Sequence, residues 1–284
     1  MKNTLFFFAF LISNLLLAQD TLLPVVFLDN IVISEKNNGF TVSDFINYVK
    51  NDTTFYKGFK HLRYYQHNYE SELKIVNRKH KQIGVLKKEG TYYSEDERAW
   101  LVNDSIYDKG KVFKRNGSYK YYTPKAFDEV FFPSDTIVVS LKISKEANTK
   151  DSQNVRDAKT IGFSIGTDGV KQTKGGVSKK LAVFDIEMQQ YYDYIIAETQ
   201  YNGIDCYTFT IKVKDSLSNN EKEEALIRKL VSYFDKDNFN VIYREYKFVY
   251  QHWLIDLDMD IIVNMAYVNG KHVPTNIYYK GYWD

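Results

Sequence analysis

Ser164 is the residue of this sequence whose neighbours are most typical of a catalytic nucleophile. It lies in GFSIG (residues 162–166), which matches the G-x-S-x-G pattern of a serine exposed on a strand-to-helix turn. Acids and histidines follow in the order of a catalytic triad: Asp185, Asp193 or Asp205, then His252 or His272. However, the next residues, TDGVKQTKGG, do not suit a helix, and no βαβ alternation surrounds the motif. We therefore expect no enzyme, and a serine hydrolase using Ser164 is kept as a remote alternative.

Three aspartates alternate along the segment LIDLDMDIIV near the end of the chain: Asp256, Asp258 and Asp260. On a strand they share one face, about 7 Å apart from one to the next. The segment lacks the glycine and the distal glutamate of a calcium-binding loop. We therefore predict a solvated face with Lys or Arg partners across the strand. Every second residue from Trp253 to Val263 is then expected to face the core.

Histidine and cysteine give no sign of a metal or nucleophile site. The five histidines, at positions 61, 67, 80, 252 and 272, lack the spacing of zinc ligands. Cys206 is the one cysteine, so an intramolecular disulfide is impossible. It lies in the strand-like segment GIDCYTF and is predicted to be a small core residue. Neither a cofactor nor a metal is expected.

The composition excludes one class of partner and points to another kind of surface. Lys and Arg number 38 and Asp and Glu 36, so nothing suggests the concentrated basic surface that nucleic-acid binding needs. The unusual feature is 24 Tyr and 19 Phe in 284 residues. Tyrosine suits half-buried pleated surfaces and also binding surfaces, because it has an apolar body and a polar tip.

The first residues, MKNTLFFFAFLISNLLLAQD, have the pattern of a secretory signal peptide over residues 1–19, with cleavage near Ala18 or Gln19. We therefore expect a periplasmic or secreted protein with no transmembrane span in the mature chain. Residues 20–284 are predicted to form a single β-rich domain. Its least regular part is a long loop at about 145–180, which is rich in Lys, Asp, Gly and Thr.

The remaining patterns predict an α+β fold that is mostly β, with a large antiparallel sheet. Asp52 can cap a helix in which Phe55, Phe59 and Leu62 share a face. Asn-Gly pairs at 116–117, 202–203 and 269–270 predict hairpin turns. Other helices are predicted from Thr41, over 125–131 and over 221–234. Strands are predicted at 22–34 (an edge strand), 64–76, 81–93, 99–107, 112–115, 118–123, 136–143, 191–199, 204–214, 239–250, 253–267 and 271–280.

Many of the aromatic residues lie in adjacent pairs within predicted strands, as at Tyr191-Tyr192 and Tyr278-Tyr279. Each pair places one ring on either face, so a sheet that curls could line an apolar cavity with rings whose polar tips lie at its mouth. Ordinary core packing is the alternative explanation for each ring. The candidate ligand-binding residues are Tyr192, Tyr194, Tyr207, Phe209, Tyr243 and Tyr246.

The second half of the chain resembles a known periplasmic fold. The run YYDYIIAETQYNGIDCYTFTIKVKD, a predicted helix, FDKDNFNVIYREY and a closing antiparallel hairpin are similar to the LolA-like fold of outer-membrane lipoprotein-sorting proteins, mainly over residues 181–284. The resemblance implies a curved antiparallel sheet, an open half-barrel, with two or three helices on its concave side. It also implies a hydrophobic cavity for acyl chains and no cofactor.

The sequence therefore predicts a non-catalytic, exported cell-envelope protein that binds a lipid, an acyl chain or a lipoprotein in an apolar cavity. The alternative is a structural or protein-interaction module of the envelope, with another envelope protein as its partner. An apolar cavity would favour the lipid-binding hypothesis. A filled core with an exposed apolar patch would favour the interaction-module hypothesis.

Overall fold

A computed structural model of the protein describes residues 26–27, 48–49, 52, 54–77, 79–132, 136–138, 180–181, 183–252 and 255–283. The predicted fold class is confirmed: the described chain is mostly β, its strand pairs are antiparallel, its helices are few and short, and its sheets are open. The predicted signal peptide, the start of the helix predicted from Thr41, and Ser164 lie outside the described residues.

The elements are numbered here in chain order. The strands are β1 (Val26–Phe27), β2 (His67–Val76), β3 (Gln82–Glu95), β4 (Arg98–Gly110), β5 (Ile137–Val138), β6 (Tyr192–Tyr201), β7 (Ile204–Val213), β8 (Ile227–Asp235), β9 (Val241–His252), β10 (Ile255–Val268) and β11 (Lys271–Trp283). The helices are α1 (Thr54–Tyr64), α2 (Tyr122–Phe131), α3 (Ile186–Gln189) and α4 (Asn219–Glu224).

These strands form two sheets rather than the one large sheet that the sequence predicts. One has seven strands in the order β1-β6-β7-β8-β9-β10-β11, and the other has four in the order β2-β3-β4-β5. From β6 onwards each strand of the larger sheet pairs with the next one in the chain, as a meander. The prediction of an edge strand in 22–34 is confirmed at Val26–Phe27, which pair with Ile196 and Ile195 at one end of the sheet.

Two of the three Asn-Gly turns have the geometry that the sequence predicts. Both residues have positive φ at Asn202-Gly203 and at Asn269-Gly270, which join β6 to β7 and β10 to β11. At Asn116-Gly117 only the glycine has positive φ, and the flanking chain forms a single bridge between Phe113 and Tyr119. The predicted strands 112–115 and 118–123 are therefore wrong: a compact turn leads directly into α2.

The helix predicted over 221–234 is also wrong. Helix α4 ends at Glu224, and strand β8 begins at Ile227. The apolar run that suggested a helical stripe belongs to a strand in the middle of the larger sheet, where both faces are covered, so Leu230, Val231 and Phe234 are all buried. Because such a strand shows no alternation of apolar and polar residues, its pattern cannot be told from that of a helix.

The main core lies between one face of the larger sheet and the short segments packed on it. We call this the inner face. It carries the buried side chains of Phe209, Ile211, Leu230, Phe234, Tyr246, Phe248, Val263 and others, and they form one cluster with Val49, Phe55, Leu181, Val183 and Met188 from outside the sheet. The four-stranded sheet adds a small cluster around Tyr92 and Ala99.

Helix α1 joins the two sheets. It packs mainly along β11 and also meets β3 and β4. Asp52 caps it as predicted: its Oδ1 accepts hydrogen bonds from the Thr54 amide (2.8 Å) and hydroxyl (2.6 Å). Phe55, in its first turn, is 1% exposed. None of the helices among the described residues is long and apolar enough to span a bilayer.

Candidate functional site

The inner face is an aromatic surface that a short stretch of chain covers. Residues 183–191, which include α3, lie over the start of β6 and the later part of β7. The ring of Phe184 stacks on Tyr194 and on Phe209, with centroids 6.2 and 6.0 Å apart. The Tyr194 hydroxyl donates a hydrogen bond to the Val183 carbonyl. Polar and aromatic contacts together therefore hold this covering segment on the sheet.

Four of the six candidate ligand-binding residues lie deep in this core. Tyr192, Tyr194, Phe209 and Tyr246 are at most 8% exposed. Burial raises the pKa of all three tyrosines well above the usual value, so their hydroxyls stay neutral. The Tyr192 hydroxyl makes no hydrogen bond of normal geometry, although the backbone N–H of Ile227 is its polar neighbour. Such buried, unsatisfied groups are uncommon and call for an explanation.

Tyr207 lies at the rim of the same face. Its ring stacks on Phe239 at 5.8 Å, and the ammonium group of Lys236 lies 4.9 Å from the ring centroid. Lys236 also forms an ion pair of 2.6 Å with Glu198. The half-buried tyrosine thus marks the boundary between the aromatic core and a charged edge.

Tyr243, the sixth candidate, lies on the opposite face, which we call the outer face. It forms an aromatic cluster with Tyr201 and Tyr233, at centroid distances of 5.2 and 4.8 Å, and its hydroxyl donates to Glu245. The alternation of side chains along β9 causes this separation, because Arg244 and Tyr246 face inwards. The structure therefore brings five of the six candidates to one face and Tyr243 to the other.

A buried polar cluster, which the sequence did not predict, lies on the inner face beside the start of α1. Five polar or charged residues are buried in the described chain, and four of them are neighbours here: Asp52, Ser232, Arg244 and His272. Arg244 Nε donates to Ser232 Oγ at 3.0 Å, and the guanidinium carbon lies 4.1 Å from the centroid of the Phe55 ring. An arginine that precedes Tyr246 and Phe248 at alternate positions of one strand face is the signal that could have found it.

The ion pair within this cluster is loose. Arg244 Nη2 and Asp52 Oδ2 are 3.7 Å apart, beyond hydrogen-bond distance, and Oδ2 has no hydrogen-bond partner in the described chain. Burial lowers the pKa of Arg244, and the Asp52 carboxylate opposes that shift. Because arginine stays protonated in proteins, the guanidinium is a cation in an apolar setting, without a fully satisfied anionic partner among the described residues.

His272 is held at the edge of the same cluster. Its Nε2 lies 2.7 Å from the Val241 carbonyl, and its Nδ1 makes no hydrogen bond of normal geometry although the backbone of Thr54 faces it. Burial lowers the pKa of His272, and the Val241 carbonyl and the Asp52 carboxylate act in the opposite direction. As the histidine of a hydrolase it would have to reach Ser164, which lies outside the described residues.

The remaining sequence predictions concern surface and core. Lys247 lies 3.5 Å from Asp258 and 3.6 Å from Asp260, which confirms the solvated face with a cross-strand partner, while Met259, Ile261 and Val263 are buried as predicted. The side chain of Asp256 lies outside the described residues. Cys206 is a buried core residue, as predicted. The described residues bring no three His, Cys, Asp or Glu side chains together as a metal site.

No family model matches the chain, and no curated protein matches it. Two solved structures are similar to it over most of their length. One is a DUF1329 family protein from Desulfovibrio piger, 13% identical over 87% of this chain and 90% of that chain, with a TM-score of 0.24. The other is described as an outer membrane lipoprotein-sorting protein domain from Vibrio parahaemolyticus, 8% identical over 78% of this chain and 89% of that chain, with a TM-score of 0.22. At these TM-scores neither similarity carries an argument, so the LolA-like resemblance stays a prediction.

Proposed function

We propose that this protein is a non-catalytic, exported cell-envelope protein that binds the acyl chain of a lipid or lipoprotein on the inner face of its seven-stranded sheet. The observation that carries the proposal is the covering of that face. Among the described residues, the side chains that cover this aromatic surface come from short segments: Val49, α1, Leu181 and residues 183–191. Displacing such a segment exposes a contiguous apolar surface without breaking the strand pairing, and such a surface suits an acyl chain.

The polar groups among these rings also support the proposal. A purely structural core normally pairs its buried polar atoms. Here the Tyr192 hydroxyl and Asp52 Oδ2 have no hydrogen-bond partner of normal geometry in the described chain, and both lie in the layer between sheet and covering segments. A ligand that carries ester, amide or acid groups beside its acyl chain would satisfy them.

The first test is native mass spectrometry with lipid extraction on residues 20–284, purified from the periplasm. We expect a co-purifying lipid, and uptake of a fluorescent acyl probe by the delipidated protein. Tyr207→Ala should weaken probe binding, because it removes a rim residue of the inner face. Tyr233→Ala is the matched control, since it removes a half-buried aromatic residue from the outer face. A clean apo mass with no probe uptake would refute the proposal.

A protein-interaction module is the second candidate function, and strand β4 favours it. Val102, Ile106 and Tyr107 are 42–56% exposed on the four-stranded sheet. Crosslinking in envelope preparations tests this candidate. Crosslinks from β4 to one protein, together with no acyl-probe uptake, would favour it over lipid binding.

A further inference from the structure

The burial of Arg244 on the inner face costs desolvation free energy. This residue is 5% exposed and stands among aromatic side chains, and its ionic partner among the described residues, Asp52, is held loosely. Removing a guanidinium from water is costly unless close, hydrogen-bonded anionic partners compensate for it. Ser232 supplies one neutral acceptor, and Asp52 remains 3.7 Å away. The cation is therefore available for a better anionic partner than the one it has.

The Asp52 carboxylate hydrogen-bonds mainly to Thr54 at the start of α1. Its Oδ1 is committed to the Thr54 amide and hydroxyl, as the cap of α1. Its other oxygen, Oδ2, is directed at Arg244 and is buried without a hydrogen bond to any described residue. The carboxylate thus has two roles. It caps α1 with hydrogen bonds of normal length, but its ion pair with Arg244 is too long for a hydrogen bond.

We propose that Arg244 is the receptor for the anionic head group of an acyl ligand, and that Asp52 occupies this receptor while no ligand is bound. The inference rests on the proposed function, because the acyl chain would lie on the adjacent aromatic surface. A carboxylate or phosphate head makes the close, forked contact with the guanidinium that Asp52 does not make. Since Asp52 is the cap of α1, its displacement couples occupation of the site to movement of the first turn of the helix.

The chemistry of the cluster fits an amphiphile better than a small free anion. Phe55 lies over the guanidinium, and the fully buried rings of Phe248 and Phe234 belong to the same core. An acyl chain gains free energy by covering such apolar surface, whereas a small anion gains nothing from it. The ligand class is therefore an acyl chain with an anionic oxygen head.

The test compares dodecanoate with dodecanol, which have the same chain and differ in the charge of the head. Binding to delipidated residues 20–284 is measured by displacement of a fluorescent acyl probe. Asp52→Asn removes the competing charge but keeps a good helix cap, because Asn caps as well as Asp. We expect this variant to bind dodecanoate about tenfold more tightly than the wild type and to bind dodecanol unchanged.

Two further variants complete the experiment. Asp52→Asn/Arg244→Gln removes both charges together, so no unpaired buried charge is left, and it should bind the acid and the alcohol equally. Lys247→Gln, on the outer face, is the control and should keep the wild-type preference. If wild type and all variants bind dodecanoate and dodecanol equally, the head-group inference is overturned and the proposed function stands.

Failure of the head-group inference can be distinguished from failure of the proposed function. If neither amphiphile displaces the probe from any variant, the proposed function fails and the inference fails with it. Acetate separates the two sources of a carboxylate: it should not displace the probe. Acetate that binds Asp52→Asn as tightly as dodecanoate does would show a site for free anions and would overturn the lipid assignment.

Discussion

At the scale of single residues, His272 makes the stability of the fold depend on pH. Burial lowers its pKa, so the folded chain resists a proton that the unfolded chain takes up below about pH 6.5. The free energy of unfolding should therefore fall as the pH is lowered from about 6.5 towards the folded-state pKa. The groups that face the ring are Asp52, which opposes the shift, and His61, which adds to it.

His272→Gln tests this prediction. Its side-chain amide can still donate to the Val241 carbonyl but does not titrate. Urea unfolding of both proteins between pH 7.5 and roughly 5 gives the two slopes. We expect a shallower slope for the variant. His67, whose pKa burial also lowers, is present in both proteins and cancels in the difference. Equal slopes would show that the ring does not carry the dependence.

The thiol of Cys206 should react slowly with disulfide reagents in the native protein. Cys206 is 0% exposed, its Sγ lies 3.1 Å from the Ile204 carbonyl, and burial raises the pKa of its thiol. Because the thiolate is the reactive form, labelling with a disulfide reagent should be at least about a hundredfold slower in buffer than in denaturant. The denatured chain is its own control, since it contains the same single cysteine. Comparable rates would mean that strand β7 opens readily.

At the scale of elements, α4 shows how a short helix is specified by its cap. Ser218 and Glu221 form a capping box in which each side chain bonds the other's backbone. The helix has six residues and buries none of them, so it depends on polar contacts at its ends, of which the cap is one. Ser218→Ala should lower the free energy of unfolding by about 1 kcal/mol. Ser216→Ala, on the same exposed loop, should change it by less than about 0.5 kcal/mol.

The ion pair between Lys88 and Asp128 fastens α2 to the four-stranded sheet. Only 10% and 21% of the two side chains is exposed, and Lys88 also lies 5.7 Å from the Phe132 ring centroid. Lys88→Met leaves the Asp128 carboxylate largely buried without its cation, with the Tyr119 hydroxyl as its remaining hydrogen-bond partner. We therefore expect a loss of about 2–3 kcal/mol, below the cost of breaking a fully buried pair. Adding Asp128→Leu should recover part of that loss. A double variant that is less stable than Lys88→Met would contradict this account.

The sequence predicts an element correctly when a local pattern of residues specifies that element. The cap at Asp52, the turns at Asn202-Gly203 and Asn269-Gly270, and the alternation that puts Asp260 opposite Lys247 are local patterns, and the structure confirms them. Strand β8 resembles a helix in the sequence because side chains on both of its faces are buried, so its apolar residues do not alternate with polar ones. That burial is a tertiary property which no short window contains.

The candidate site illustrates the same limit. The sequence identified aromatic strand residues, but their division between two faces follows from strand register, which places Tyr243 outside and Tyr246 inside. The polar cluster joins Asp52 to Arg244, far apart in the sequence. Neither residue has a local pattern that predicts the other, so only the folded chain brings this pair to light.

At the scale of the whole molecule, the two sheets differ in how many buried apolar side chains each one contributes. The seven-stranded sheet carries the main buried cluster. The buried apolar side chains described in the four-stranded sheet are fewer (Val85, Leu86, Tyr92 and Ala99), and β4 is largely exposed. Backbone amides in poorly buried elements exchange through local openings of low free energy. We therefore expect hydrogen exchange to be slowest in β7, β8 and β9 and much faster in β4. Uniform protection across both sheets would contradict this expectation.

A pair of variants shows whether the sheets open separately. Lys88→Met should speed exchange in β3, β4 and α2 but leave β7 to β9 nearly unchanged, because α1 is the main link between the sheets and it packs chiefly on β11. Phe234→Leu, at a fully buried ring, should speed exchange throughout, since the larger sheet holds the core on which α1 rests. If Lys88→Met accelerates β8 as strongly as Phe234→Leu does, the two sheets form one cooperative unit, and α1 transmits stability in both directions.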